Sequence, residues 1–210
     1  METLEQLKVR IETAIGARLE IIPNGSAANQ PSLLVESGAA LKVAEFLRDN
    51  PALQFDYASN VTGVDWPERT LKEKVKVRKT VDGVEKEVEE TIEKKTPAYL
   101  EAVYHLYSMA LKHGPVIIRL RTENRTDKVT LPSLTTVWRS CEFQEREIFD
   151  LYGVIFEGHP DLRRLLMWEE FTDHPMRKDY VEPDDYEYEP TPHDDVLTRA
   201  RQHYPGGTPA

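Results

Sequence analysis

From Leu53 to Thr122 the chain presents three stretches of β-forming residues, LQFDYASNVTGVDW, YLEAVYHLYSMAL and VIIRLRT, with no helical period between them. Parallel neighbours need a crossover of a dozen or more residues, usually a helix, so strands that follow one another without one pair antiparallel. Upstream, RLEII (18–22) and SLLVE (32–36) read as two short strands around the turn-rich PNGSAANQP. Leu4, Leu7, Ile11, Ala14 and Ile15 recur at helical spacing before Gly16, and a second helix over Ala39 to Arg48 ends at Asn50-Pro51. The expected fold is α+β: a two-layer sandwich with a mainly antiparallel or mixed sheet of about five strands and helices on one face.

Residues 69–95, RTLKEKVKVRKTVDGVEKEVEETIEKK, depart from this pattern. Both halves alternate with period two about Asp82-Gly83, a dipeptide that suits a tight hairpin, and one arm is mainly basic while the other is mainly acidic. A protruding charged β-hairpin is expected, either a solvated insertion or an arm that grips a partner. From Val181 onward acids, prolines and tyrosines succeed one another without periodicity, which reads as an extended acidic tail, lying on another protein or disordered. The expected organisation is an α+β domain over 1–134, a helix with a His-Pro and Arg-rich segment over 135–180, and the tail over 181–210.

Composition removes several functions. A net charge of −10 argues against generic nucleic-acid binding, which depends on bases that neutralise phosphates. Cys141 is the one cysteine, so neither an internal disulfide nor a cysteine-held zinc or iron–sulfur cluster is expected, and a reducing compartment fits. There is no apolar run of about 18 residues to span a bilayer, and the first residues resemble neither a signal nor a transit peptide. Neither GxGxxG nor GxxxxGK[ST] occurs.

Chemistry-bearing residues concentrate after Leu131-Pro132-Ser133. A helix is expected from Thr135 to Tyr152, stopped by Gly153, with Val137, Trp138, Cys141, Ile148, Phe149 and Tyr152 on one stripe and Glu145 buried within it. Glu142 with Arg146, and Arg146 with Asp150, stand at i,i+4 on a more polar side. Downstream, GHPDLRRLLMWEEFTDHPMRKD (158–179) repeats a phrase: His159-Pro160 before Arg163-Arg164, then His174-Pro175 before Arg177-Lys178. Two copies fifteen residues apart are too few and too close for a solenoid, which leaves shared loop chemistry.

A metal held by His159, Asp161, Asp173 and His174 matches no ligand spacing. Glu145 and Glu147 point about 200° apart on a helix, too far for paired acid–base work, and Cys141 lies on the apolar stripe as an inert core thiol. What remains is structural: Pro160 opens a short helix over DLRRLLMW, the His-Pro dipeptides are corners, and one of Arg163, Arg164, Arg177 and Lys178 compensates Glu145.

EREIFDLYGVIFEGHPDLRRLL followed by DHPMRKDY, with NVTGVDWPE and AVYHLYSM upstream, resembles the C subunits of bacterial NADH-quinone oxidoreductase, the NuoC type of respiratory complex I. The likeness covers most of 1–180 and is densest from Trp138 to Tyr180. It implies an accessory subunit of the peripheral arm with no catalytic residue, cofactor or metal of its own. FMN, Fe-S clusters and quinone would belong to partner subunits, and the complex would carry electrons from NADH to quinone and translocate protons. Implied partners are the D-type subunit at the quinone site and Fe-S subunits of B and I types. Membrane attachment, on the cytoplasmic face of the bacterial cell membrane, would come through them. The residues carried over as a docking and structural set are Glu145, Arg146, Glu147, Asp150, His159, Asp161, Arg163, Arg164, His174, Arg177, Lys178 and Asp179. A homologous subunit of a membrane-bound hydrogenase or other ion-pumping complex is the near alternative. A free-standing hydrolase using Glu145 or Glu147 with His159 and His174 is the alternative of another class.

Overall fold

The Thr3 hydroxyl accepts the Gln6 N–H while the Gln6 side chain accepts the Thr3 N–H, a reciprocal cap that starts helix α1 (Leu4–Ile15). Gly16, at φ 74°, ends it in the left-handed conformation. The computed structural model describes residues 2–25, 30–81 and 84–181, with the backbone alone over 71–81 and 84–94. The chain divides into two units, Met1–Lys178 and Asp179–Ala210, and the elements below belong to the first. From residue 182 on, the expected tail lies outside the described residues.

After α1 come β1 (Leu19–Ile22), β2 (Ser32–Val35), a 3₁₀ turn (Ser37–Ala39), α2 (Ala40–Asp49), β3 (Tyr57–Trp66), β4 (Arg69–Val81), β5 (Val84–Thr96), β6 (Tyr99–Ser108) and β7 (His113–Arg121). β8 (Thr130–Pro132), α3 (Cys141–Tyr152) and β9 (Ile155–Glu157) complete the unit. The main sheet has five strands in the order β1-β2-β7-β6-β3. Its pairs are antiparallel except β2 with β7, so the sheet is mixed, and the chain is the α+β sandwich that its alternation implies. β4 and β5 form a separate two-stranded ribbon whose register runs from Arg69 opposite Thr96 to Val81 opposite Val84. The expected Asp82-Gly83 turn lies outside the described residues. A short parallel pair, β8 with β9, escapes sequence reading because three residues carry no period.

Alternation assigns the two faces. Leu33 and Val35 of β2, Ile118 and Leu120 of β7, and Leu100, Ala102, Tyr104 and Leu106 of β6 are buried against Leu7 and Ile11 of α1, Val43 and Leu47 of α2 and Ile148 of α3. Burying each of these large aliphatic side chains contributes about 1.5–3 kcal/mol.

α3 starts six residues later than its apolar stripe predicts. Leu134 O takes the N–H groups of Val137 and Trp138 in an isolated turn. The Trp138 indole then donates to Phe55 O (2.7 Å) and the Ser140 hydroxyl to Ala58 O (2.8 Å). These bonds hold residues 138–140 at the head of β3, and the helix departs from there. It lies along the β3 edge, where Gln144 Oε1 accepts the Val61 N–H beside the irregularity at Ala58 and Asn60. At Gly63 the Tyr152 ring comes so close that a Cβ would sit 2.5 Å from it, so only glycine fits.

Candidate functional site

The residues after α3 fold back along it. Two buried acids of the helix organise the arrangement, each fully enclosed by the chain.

Glu145 faces the sheet. Its Oε1 accepts the Tyr104 hydroxyl (3.0 Å) and the Leu134 N–H (2.9 Å), and its Oε2 accepts the Ser133 hydroxyl (2.6 Å). Burial pushes its carboxyl above the ordinary value, and the bonds from Ser133, Leu134 and Tyr104 offset this only in part. Burial, with Glu145 alongside, raises the Tyr104 phenol well above its usual value. The expectation that Arg163, Arg164, Arg177 or Lys178 compensates Glu145 is therefore corrected: its partners are two hydroxyls and a backbone amide. The periodicity buries the acid but cannot say that β6 brings Tyr104 beneath it.

Asp150 faces the other way, toward the returning chain. Its Oδ2 accepts three successive backbone N–H groups, from Leu165 (3.0 Å), Leu166 (2.7 Å) and Met167 (2.9 Å), and its Oδ1 accepts Arg164 Nη1 (2.6 Å). Burial alone would raise this carboxyl, but the Met167 and Leu166 amides, the Arg164 guanidinium and the Leu165 amide outweigh it and hold it below its ordinary value. The same bonds correct the short helix expected over DLRRLLMW. These residues form turns and bends, because three of their N–H groups converge on one oxygen, which a helix forbids.

Arg146, expected on the polar side with Glu142 and Asp150 as partners, is buried. Its Nε and Nη2 donate to Arg163 O and Arg164 O (both 3.1 Å), and Nη1 stands 3.8 Å from Asp161. Asp150 takes Arg164 in its place. Glu147, one helical turn on from Phe143, is exposed, and so is the Arg163 side chain, which pairs with Asp161 (3.0 Å).

The repeated phrase acquires a common role. His159 accepts the Asp161 N–H at Nδ1 (3.1 Å), so its Nε2 carries the proton and donates to Glu142 O (2.9 Å) near the start of α3. His174 donates through Nδ1 to Asp150 O (3.0 Å) near its end. Burial, with Arg177 and Arg164 nearby, lowers the His174 pKa and keeps the ring neutral. The two carbonyls lie eight residues apart, roughly 12 Å along the axis, so the imidazoles do not meet. Among the described residues no three His, Cys, Asp or Glu side chains are grouped to hold a metal ion.

Gly153 and the returning segment cap the C-terminal end of α3. Phe149 O accepts the Gly153 N–H, Asp150 O accepts Arg164 and His174, Leu151 O accepts the Met176 N–H, and Tyr152 O accepts Arg177 Nε (2.7 Å). Beyond the helix's own bond at Phe149, three carbonyls that the helix leaves unpaired are thus satisfied, two of them by basic side chains or imidazole that suit the negative end of the helix dipole. Gly153 is required twice over: φ is 76°, and a Cβ there would lie 2.4 Å from His174 Nε2. Lys178 contributes its backbone, donating to Asp65 Oδ2 (2.7 Å), while Arg125 holds both Asp65 oxygens (2.5 and 2.6 Å). Asp65 and Arg125 are not in the sequence-derived set, since nothing in their spacing of sixty residues signals the pair. Asp179 opens the second unit.

Beside the exposed Glu147 and Arg163, α3 and the segment after it leave apolar side chains outward: Phe143 is 59% exposed, Leu166 61% and Met176 54%. Cys141 is buried, and burial pushes its thiol far up, which suits core and not a nucleophile. Among the described residues no helix is long and apolar enough to cross a membrane.

The family described as "Respiratory-chain NADH dehydrogenase, 30 Kd subunit" matches residues 33–186. The C subunit of NADH-quinone oxidoreductase from Coxiella burnetii is 40% identical over 144 residues, 67% of this chain and 62% of that protein. The corresponding protein of Burkholderia multivorans is 36% identical over 178 residues, 84% and 76% of the two chains. The chain thus spans under two thirds of the first relative's length. A chain in the structure of the membrane-bound sulfane sulfur reductase, an archaeal respiratory membrane complex, has the same fold, with a TM-score of 0.56 over 97% of this chain and 92% of that one at 18% identity.

Proposed function

Because the chain belongs to the family of respiratory-chain NADH dehydrogenase 30 Kd subunits, we propose that it is an accessory peripheral-arm subunit of NADH-quinone oxidoreductase that positions its partners and carries no cofactor or catalytic residue. The complex would pass electrons from NADH through FMN and Fe-S clusters to quinone and couple this to proton translocation. The chain itself would supply a rigid shoulder. Its partners would be the D-type subunit at the quinone site and the neighbouring Fe-S subunits of B and I types, and through them it would sit on the cytoplasmic face of the cell membrane.

The observation that carries this reading is the division of labour between α3 and the segment after it. Glu145, Asp150, Arg164, His159 and His174 are bonded to backbone or to a buried partner, while Phe143, Leu166 and Met176 stand exposed. A surface of exposed apolar side chains on a scaffold held by buried hydrogen bonds is suited to docking. The hydrolase reading loses its pair, because Glu145 accepts from Tyr104, Ser133 and Leu134, and both imidazoles hold carbonyls of α3. The test is recovery of the tagged full chain under mild detergent, with partners identified by mass. Flavin-bearing and Fe-S subunits with NADH-dependent quinone reduction are expected. A chain recovered alone, or one that turns over NADH or an ester by itself, overturns the reading.

A further inference from the structure

The five-stranded sheet has a second face. Alternation sends Leu34 of β2, Ile117, Arg119 and Arg121 of β7, Tyr99, Glu101, Val103 and His105 of β6, and Thr62, Val64 and Trp66 of β3 away from the helices. Val103 and Ile117 are 5% and 7% exposed, yet neither belongs to the core that the helices cover. What lies over this face, among the described residues, is its own long side chains, with Arg69 and Lys178 at the Trp66 end.

Those side chains form a built arrangement. Glu101 is 1% exposed; its Oε1 accepts Arg121 Nε (3.1 Å) and Nη2 (2.9 Å), and its Oε2 accepts Arg119 Nη1 (3.0 Å) and the Trp66 indole (2.7 Å). Arg119 Nε is also fixed, by the Ser32 hydroxyl (2.7 Å). Arg121 lies 4.0 Å from the Tyr99 ring centre, and Arg69 lies 4.0 Å and Lys178 5.7 Å from that of Trp66. Among the described residues, Arg119 Nη2 and Arg121 Nη1 have no hydrogen-bond partner. Four cations therefore meet here against Glu101, which four donors already occupy, and Glu68 beside Arg69, on a chain whose net charge is −10. Toward β1 the positive excess ends, with Arg18 and Glu20 both exposed.

We infer that the helix-free face, at its β3-β6-β7 half, is a second interaction surface that takes an acidic segment of another protein. A carboxylate of that segment is received by the outer N–H groups of Arg119 and Arg121, and its apolar or aromatic neighbours pack on Val64, Trp66 and Tyr99. Arg119 and Arg121 are both oriented by the buried Glu101, and Arg121 also stands over the Tyr99 ring, so the pair is preorganised for a carboxylate and little ordering cost remains on binding. The excess of cations at this half, absent toward β1, confines the segment to it. The surface is distinct from the Phe143, Leu166 and Met176 side and does not rest on the function proposed above.

The test places photoreactive benzoylphenylalanine at Thr62, an exposed position on this face that makes none of the contacts above. The full chain is expressed in its own cell, the membranes are irradiated, and the cross-linked peptide is sequenced by mass. An Asp- or Glu-rich segment of another protein is expected, with yield falling roughly tenfold when Arg69→Glu is added, as for the loss of a steering charge. No product, a product with a second copy or with this chain's own residues, a lipid adduct, or a neutral or basic segment overturns the inference. So does a yield that Arg69→Glu leaves unchanged. Circular dichroism and unfolding of the Arg69→Glu chain, matched to wild type, show that the loss is one of binding.

Discussion

Glu145 and Asp150 lie five positions apart on one helix, both wholly buried, and their surroundings move their protons in opposite directions. Around Glu145 the donors are neutral: two hydroxyls and one amide. Around Asp150 three amides and a guanidinium converge. The same carboxyl chemistry, sealed from solvent in both places, thus ends raised in one and depressed in the other: Glu145 lies deeper in the protein among neutral donors, whereas Asp150 lies nearer the surface with four donors, one of them a full positive charge. Glu145 ties the helix to the sheet without needing an ion pair, whereas Asp150 needs its charge to hold the returning chain.

The contrast predicts a graded series in urea unfolding of the full chain. Asp150→Asn has the largest effect, a loss of about 3 kcal/mol, since the half-buried Arg164 loses its counter-charge and the amide nitrogen must face either the guanidinium or the three backbone N–H groups. If this variant matches wild type, the three amides and the guanidinium around Asp150 carry no stability. Gly153→Ala comes next, at roughly 1–3 kcal/mol from the left-handed backbone alone, and its Cβ also displaces His174. Glu145→Gln is milder, about 1 kcal/mol, because the amide oxygen still accepts and the amide nitrogen can donate to Ser133. Arg163→Ala is the smallest: the side chain is 68% exposed beside an exposed Asp161, so the unfolding midpoint should not move measurably.

Acidity separates the two carboxyls further. The folded pKa of Glu145 is raised, so its contribution is full below the unfolded value and is lost as pH climbs through the folded one. Asp150 is depressed, so its contribution is present above the unfolded value and is lost as pH falls through the folded one. Stability of Glu145→Gln relative to wild type should therefore improve as pH rises from about 4 toward neutrality, while Asp150→Asn should converge on wild type in acid. Unfolding curves collected across that range check both slopes, and a shared slope for the two variants removes the contrast.

The legible parts of the chain were those in which one period runs for many residues. Strands β3, β6 and β7, helices α1 and α2 and the five-stranded sheet follow from alternation and helical spacing, and so does the burial of Glu145. What period could not supply was partner identity. Ser133, Tyr104 and Leu134 meet Glu145 from two different segments. The residues over Asp150 fold as turns although LRRLL reads as helical, because local propensity yields to a buried charge that three amides can satisfy. The Glu101 cluster was hidden for a related reason: Glu101 and Arg121 face each other only in the register that β6 and β7 adopt. His159 and His174 were conspicuous as a repeated phrase, yet the shared target, one helix held near both ends, exists only once the chain has folded back.

If α3 and its returning segment are a bonded scaffold that presents an apolar docking side, removing that side should abolish assembly and spare the fold. The most direct measurement is the amount of partner subunit recovered per tagged chain under mild detergent for Leu166→Lys combined with Met176→Lys, two exposed positions. The expected result is a chain that unfolds as wild type does and recovers little or no partner. Wild-type recovery of partner by this normally folded variant would contradict the docking role.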